Sequence, residues 1–299
     1  MVFALAQKGL YTGPQRRITA LKRGVSGAQR AESPPPIHLY YRPRNPINTL
    51  MHILITNDDG ISAPGINILS HFLVELGQQV TVVAPDRPRS GSAGRITTGA
   101  PIRLKQLPDS HNPRRYQCNG TPVDCVKLAL NTIFKEHKPD LLLSGINHGR
   151  NEGICVHYSG TVCAAMEGAI AGVPAIALSR QKADLDRHFD HCLPFIKRLV
   201  EEFPVHTLAH GTLLNVNFPY DEPKGVRFAR QATGYFMNEF VPSGDASGKP
   251  VYWMSGSQVD PSGAQDTDLY FLEQGYTTVS PIQTDLTNYA FLAEPNKFF

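Results

Sequence analysis

The sequence predicts an α/β protein built on a Rossmann-like, doubly wound, mostly parallel sheet. Three observations carry this reading. Short apolar runs alternate with helical stretches from residue 51 onward, each helical stretch is entered through a Gly, Pro or small polar turn, and the notable polar residues follow the strands. The 299 residues suffice for one large domain with an appendage. A composition of 41% hydrophobic and 18% charged residues suits an ordinary soluble protein, and no run of 18 apolar residues is present to cross a membrane.

The strands are placed at 51–56 (Met51 to Thr56), 80–84, 140–144 and 174–178, each short and of the fully buried type. Helices fit 65–76, 122–134, 160–171 and 189–202. After Pro219 the character changes. Aromatic stretches such as Gly234-Tyr235-Phe236, Val251-Tyr252-Trp253 and Tyr289-Ala290-Phe291, broken by polar turns, predict hairpins or an arm over about 220–299 rather than further βαβ units. Exposed aromatic hairpins mark a partner surface, so a homo-oligomer is expected through this region.

Residues 1–50 read differently. They carry eight Lys or Arg against the single acid Glu32, a net of +7, together with Pro34-Pro35-Pro36, Pro43 and Pro46. That composition resists regular structure and is read as a disordered extension or a misassigned start, with Met51 opening the domain that runs to 299. The remaining residues then hold a net of −4, which gives no argument for nucleic acid as a partner. Cys118, Cys125, Cys155, Cys163 and Cys192 are odd in number and include no CxxC pair. Neither a zinc cluster nor a disulfide framework is indicated, and the cytoplasm is the expected setting.

Ligands of an open parallel sheet bind outside the carboxyl ends of its strands. Asn57-Asp58-Asp59-Gly60 closes the first strand, Arg89-Ser90-Gly91 follows the second, and Gly145-Ile146-Asn147-His148-Gly149 follows the third. Two adjacent carboxylates repel unless a proton or cation neutralises them. Asp58, Asp59, Ser90 and Asn147 together supply the hard oxygen donors that Mg²⁺ or Mn²⁺ prefers. Ser159-Gly160-Thr161 stands directly before a helical run and offers N–H groups and hydroxyls to an anion, although a plain helix cap would look the same. His148 and His157 are read as neighbours of the site. A Walker A sequence and a GxGxxG after the first strand are both missing, which argues against an NTPase or a dinucleotide oxidoreductase.

From Met51 to about Thr287 the chain resembles the SurE (survival protein E) family of nucleotidases. Five blocks carry the resemblance in order: ILITNDDGISAPGI (53–66), VVAPDRPRSG (82–91), NGTPVDCV (119–126), SGINHGRNEG (144–153) and YSGTVCAAMEG (158–168). It implies a metal-dependent phosphomonoesterase that releases phosphate from nucleoside 5′- or 3′-monophosphates, with short polyphosphate as a further substrate. It also implies one divalent ion per subunit, Mg²⁺ or Mn²⁺, on Asp58, Asp59, Ser90 and Asn147, with the two aspartates catalytic, and a phosphate cradle at Ser159, Gly160 and Thr161. Dimers or tetramers made by exchanged C-terminal hairpins follow from the same resemblance. Two departures stand out, the fifty-residue extension and Cys163, where the family has Gly or Ala. The alternative is a metal- and nucleotide-binding regulatory module without turnover, and a metal-dependent glycosyltransferase-like donor site is a third possibility.

Overall fold

The computed structural model describes residues 50–108, 111–181 and 188–293. Apart from residue 50, the extension expected over 1–50 lies outside them. The elements follow the predicted alternation: β1 (His52–Thr56), α1 (Pro64–Glu75), β2 (Gln79–Pro85), β3 (Leu104–Gln106), β4 (Arg114–Cys118), α2 (Pro122–Asn131), β5 (Leu141–His148), α3 (Gly160–Ile170), β6 (Ala175–Arg180), α4 (Leu193–Glu201) and β7 (Thr212–Phe218). Then come β8 (Val226–Phe228), β9 (Tyr235–Met237), β10 (Phe240–Gly244), β11 (Pro250–Met254), β12 (Ser257–Val259), α5 (Asp268–Glu273), β13 (Thr277–Gln283) and α6 (Tyr289–Leu292).

Nine strands form one sheet in the order β3-β4-β2-β1-β5-β6-β7-β13-β8. From β4 to β7 every neighbouring pair is parallel. The side chains of β1 show why helices must cover both faces, because Ile53 and Ile55 point into one apolar cluster and Leu54 into the other. Leu69 and Leu73 of α1 and Ile196 and Leu199 of α4 close the first face. Val126 and Ala129 of α2 and Val162, Ala165 and Ala169 of α3 close the second. The chain leaves β1 toward β2 on one side and returns to β5 on the other. The carboxyl ends of β1 and β5 therefore flank a topological switch point, where an open sheet forms its ligand crevice.

Five strands of the sheet, β3, β4, β7, β8 and β13, escaped the sequence reading. β3 is an edge strand with β4 next to it, both of mixed burial, β8 is a short edge strand at the other end, and β7 and β13 carry buried polar residues that interrupt the apolar run. The stretch after Pro219 does two things. β10 and β11 form an exposed antiparallel hairpin and β9 pairs with β12, as expected of an arm. β13 instead returns to pair antiparallel with β7 and parallel with β8, so part of this stretch is sheet. Pro281, which has no N–H to give, lies past the end of β8, where β13 has only β7 beside it.

Candidate active site

The loop after β1 is locked by Asn57, whose side chain donates to Gly60 O (3.0 Å) and accepts from Gly60 N (3.2 Å). This turn presents Asp58 and Asp59 in succession at the switch point. Asp58 is 5% exposed, and its Oδ1 accepts a 2.6 Å hydrogen bond from Thr161 Oγ1 at the start of α3. Burial pushes its carboxyl up to about 6; the Thr161 bond opposes that rise and the neighbouring Asp59 charge adds to it. Asp59 accepts from His148 N through Oδ2 (3.1 Å), which ties the acid pair to the end of β5. Both carboxylates are thus held by partners about 90 to 100 residues away in the chain.

β5 breaks register with β6 between Ser144 and Asn147, which precedes His148, the residue whose N–H bonds Asp59. Gly145 sits in that irregularity at φ 143, where a Cβ would run into Leu178 O, so only glycine allows the turn. The Asn147 side-chain amide donates to Gly149 O (2.8 Å). Ser90 stands exposed one residue after Arg89, whose N–H donates to Asp58 O (2.7 Å). Asp58 and Asp59 are therefore carried by the loop after β1 and Ser90 by the loop after β2, whereas Asn147, expected in a loop that follows the third strand, lies inside β5, which runs on past Ser144 to His148 across the irregularity.

Ser159 is the N-cap of α3, accepting from Val162 N (3.1 Å). The first intrahelical bond beyond it runs from Cys163 N to Ser159 O (3.0 Å), so the N–H groups of Gly160 and Thr161 precede the helix ladder. Thr161 directs its hydroxyl at Asp58, which makes this residue a brace for the acid pair. A residue not singled out from the sequence also faces this point. Ser92 Oγ is buried without a hydrogen-bond partner, and a Cβ at Gly160 would stand 2.6 Å from it and 3.0 Å from Asp58 Cβ. Gly160 thus allows three segments to meet closely. No sequence signal marks Ser92, because its only distinction is where the loop after β2 is pinned, by Ala93 N donating to Tyr158 O (3.2 Å).

The two histidines separate. His148 lines a cavity with Asp59, whereas His157 is exposed and lines a different one with Cys163 and Met166 on the flank of α3. Burial, with a further push from the Asp58 charge, raises the Cys163 thiol above its usual range. Among the described residues no group of three or more His, Cys, Asp or Glu converges as a metal centre. A cation at Asp58 and Asp59 would therefore be completed by neutral oxygens, and an adjacent acid pair with one member nearly sealed from water suits such an ion.

An open parallel sheet whose switch point joins an acid pair to the unladdered start of a helix defines an α/β protein that handles an anion beside a cation. Residues 53–238 match the family model described as Survival protein SurE. The chain is 44% identical over 242 residues to the 5′-nucleotidase SurE of Porphyromonas gingivalis, across 81% of this chain and 94% of that protein. It is 42% identical over 255 residues to the 5′-nucleotidase SurE of Synechococcus elongatus, across 82% of this chain and 98% of that one. The crystal structure of the SurE protein from Aquifex aeolicus matches with a TM-score of 0.68 at 37% identity, covering 82% of this chain and 98% of that chain. The chain belongs to the SurE family.

Proposed function

We propose that this chain is a metal-dependent 5′-nucleotidase, hydrolysing nucleoside 5′-monophosphates, and also the 3′ isomers, to nucleoside and orthophosphate, with short polyphosphate as a secondary substrate. The observation that carries the reading is the junction of Asp58 and Asp59 with the start of α3, braced by the Thr161 bond. Asp58, Asp59, Ser90 and Asn147 would hold one divalent ion per subunit, Mg²⁺ or Mn²⁺. When bound, the ion neutralises the acid pair and supplies Lewis-acid activation of water and phosphate. Gly160 N–H, Thr161 N–H and the Ser159 hydroxyl donate to the non-bridging phosphoryl oxygens, where charge concentrates as the bond to the ester oxygen breaks. Asp59, more open than Asp58, takes the proton of the attacking water as its oxygen bonds to phosphorus. The ester oxygen leaves with a proton from solvent.

The catalytic unit in this reading is 51–299, with a core over about 51–219, an arm within 220–299 and no chemistry assigned to 1–50. The arm makes a homodimer or homotetramer. The cytoplasm is its compartment, in keeping with five unpaired thiols, and no helix among the described residues is long and apolar enough to cross a membrane.

Phosphate release from AMP should stop with EDTA and return with Mn²⁺ or Mg²⁺. Asp58→Asn and Asp59→Asn should each lower metal affinity and kcat together, by about a hundredfold or more. Without metal, both variants should melt at or above the wild-type temperature, since one of two neighbouring like charges is gone. Hydrolysis that survives chelation would overturn the reading. Metal and AMP binding without phosphate release would identify the regulatory module instead.

A further inference from the structure

We infer that exposed cations gathered around the loop after β4 form a track for the distal phosphates of a linear polyphosphate whose terminal phosphate is held at the acid pair. This rests on the nucleotidase reading and assigns the surface beside Ser90 to one of the substrates named there. Between Asp86 and Gln106 the chain carries five cations, Arg87, Arg89, Arg95, Arg103 and Lys105, against the single acid Asp86. That net of +4 lies within a domain that totals −4.

Tertiary structure draws these residues together. Arg89 Nη2 donates to Asn119 O (2.6 Å), Arg103 N donates to Asn119 Oδ1 (2.7 Å) and Arg95 O accepts from Thr121 Oγ1 (2.6 Å), so three of the five are anchored on residues 119–121 at the carboxyl end of β4. Arg87 stands at the inner end, its backbone so near the loop after β1 that a Cβ on Gly60 would lie 3.1 Å from it. Lys105 is on β3, the outermost strand on this side. Arg89 is committed to Asn119 and to an ion pair with Asp86 (3.3 Å). Arg87, Arg95, Arg103 and Lys105 are exposed and have no acidic partner among the described residues.

Distance selects a long anion. Outward from the acid pair the strands run β1, β2, β4, β3, and with neighbours about 4.8 Å apart β3 lies roughly 14 Å from β1. The Debye length at physiological salt is about 8 Å. Arg103 and Lys105 therefore add little to a single phosphate at Asp58 and Asp59, and act on an anion long enough to reach them. The opposite side of the crevice offers no such track, because Arg150 is paired with Glu152 (3.1 Å) and Arg180 is 1% exposed. Composition selects the kind of anion. Residues 86–106 and 119–121 contain no Phe, Tyr, Trp or His. Single-stranded nucleic acid is held by stacking its bases on aromatic rings along a basic groove, so charge without rings fits a chain of phosphates that carries no bases.

The test compares kcat/KM for a polyphosphate of several units with that for AMP, under one metal concentration. In the triple variant Arg95→Ala, Arg103→Ala, Lys105→Ala the ratio of polyphosphate to AMP should fall by about tenfold, mainly through a higher KM for polyphosphate, and the fall should shrink as salt is raised. Arg95→Lys with Arg103→Lys keeps the charges and should hold the ratio near wild type. If the triple variant melts far below wild type, Arg95→Ala and Lys105→Ala decide singly, each lowering the ratio by about two- to threefold. Calorimetric titration of polyphosphate into protein kept in EDTA reads the track without turnover, and there the triple variant should bind about tenfold more weakly. An unchanged ratio, or equal binding in EDTA, overturns the assignment. So does a variant that loses affinity for a single-stranded oligonucleotide with a terminal phosphate while keeping it for polyphosphate. Wild-type protein that binds polyphosphate through these residues yet releases phosphate from neither substrate would bring down the nucleotidase reading while the track stands.

Discussion

Glu152 shows what a single buried charge does in this fold. It lies in the loop between β5 and α3 with no exposed side-chain surface, and it pairs with Arg150 Nε at 3.1 Å. Burial pushes its carboxyl up to about 7, the Arg150 charge opposing and the Asp268 and Glu273 charges assisting. A carboxyl whose folded-state value exceeds its unfolded value of 4.5 favours the folded state when protonated. Its contribution is therefore fully present below pH 4.5 and is lost as the pH rises to about 7, by roughly 3 kcal/mol over the window. Glu152→Gln should flatten the melting temperature between pH 5 and pH 8 relative to wild type and raise it at the upper end. A steeper pH dependence in the variant would show that the Arg150 pair outweighs desolvation. Asp58 and Asp59 were legible in the sequence because an acid pair at a strand end is a local signal, and Asn147 was legible for the same reason. His148 was read as a neighbour of the site, but Ser92 and the cavity that His148 lines with Asp59 were not legible, since both depend on contacts with segments far away in the chain.

At the scale of elements, α2 is the one whose start is most heavily bonded. Thr121 accepts from Asp124 N (3.1 Å) and Asp124 accepts from Thr121 N (2.9 Å), the reciprocal capping box, while Asp124 also accepts from Thr97 N (3.0 Å) and Thr97 Oγ1 (2.6 Å). These Thr97 bonds hold the far end of the loop that carries Ser90 and Ser92. Asp124→Ala removes the acceptor from three buried or half-buried donors, and should lower stability by about 2–4 kcal/mol, read as a drop in melting temperature. Asp124→Asn, which keeps an oxygen acceptor, should lose less. The Thr121-Pro122 start and Asp124 three residues on are visible in the sequence, and α2 was placed from its first residue. β7 and β13 were missed for the opposite reason. Asn215 and Asn217 look unsuited to a buried strand until Asn151 is brought against them, where Asn215 Nδ2 donates to Asn151 O (2.8 Å) and Asn217 Oδ1 accepts from Asn151 N (2.7 Å).

At the scale of the molecule, the β10–β11 hairpin exposes Phe240, Tyr252, Trp253 and Met254, from 58% to 77% of each, in the single chain. A two-stranded hairpin with that surface is marginal alone in water and calls for a partner. Excising residues 240–254 and bridging the gap with glycines should lower the particle mass measured by light scattering. Excision is the informative cut because β8, α5 and β13 belong to the sheet or pack on it, so a truncation at Pro219 would damage the core. An unchanged mass per particle would count against oligomer formation through this hairpin.

Residue order alone was enough for the alternation of strands and helices, the loops that carry Asp58, Asp59, Ser90 and the Ser159–Thr161 turn, and the aromatic character of the C-terminal stretch, whereas Asn147, expected in a loop, lies within β5. These follow from periodicity, turn chemistry and strand-end position, all of them short-range properties. Tertiary structure alone decided that Thr161 braces Asp58, that Ser92 meets Gly160, that His148 lines a cavity with Asp59, and that β13 rejoins the sheet beside β7. Each of these joins residues tens of positions apart. Burial and partnering there are set by which loops the switch point gathers, and no window of neighbouring residues contains that information.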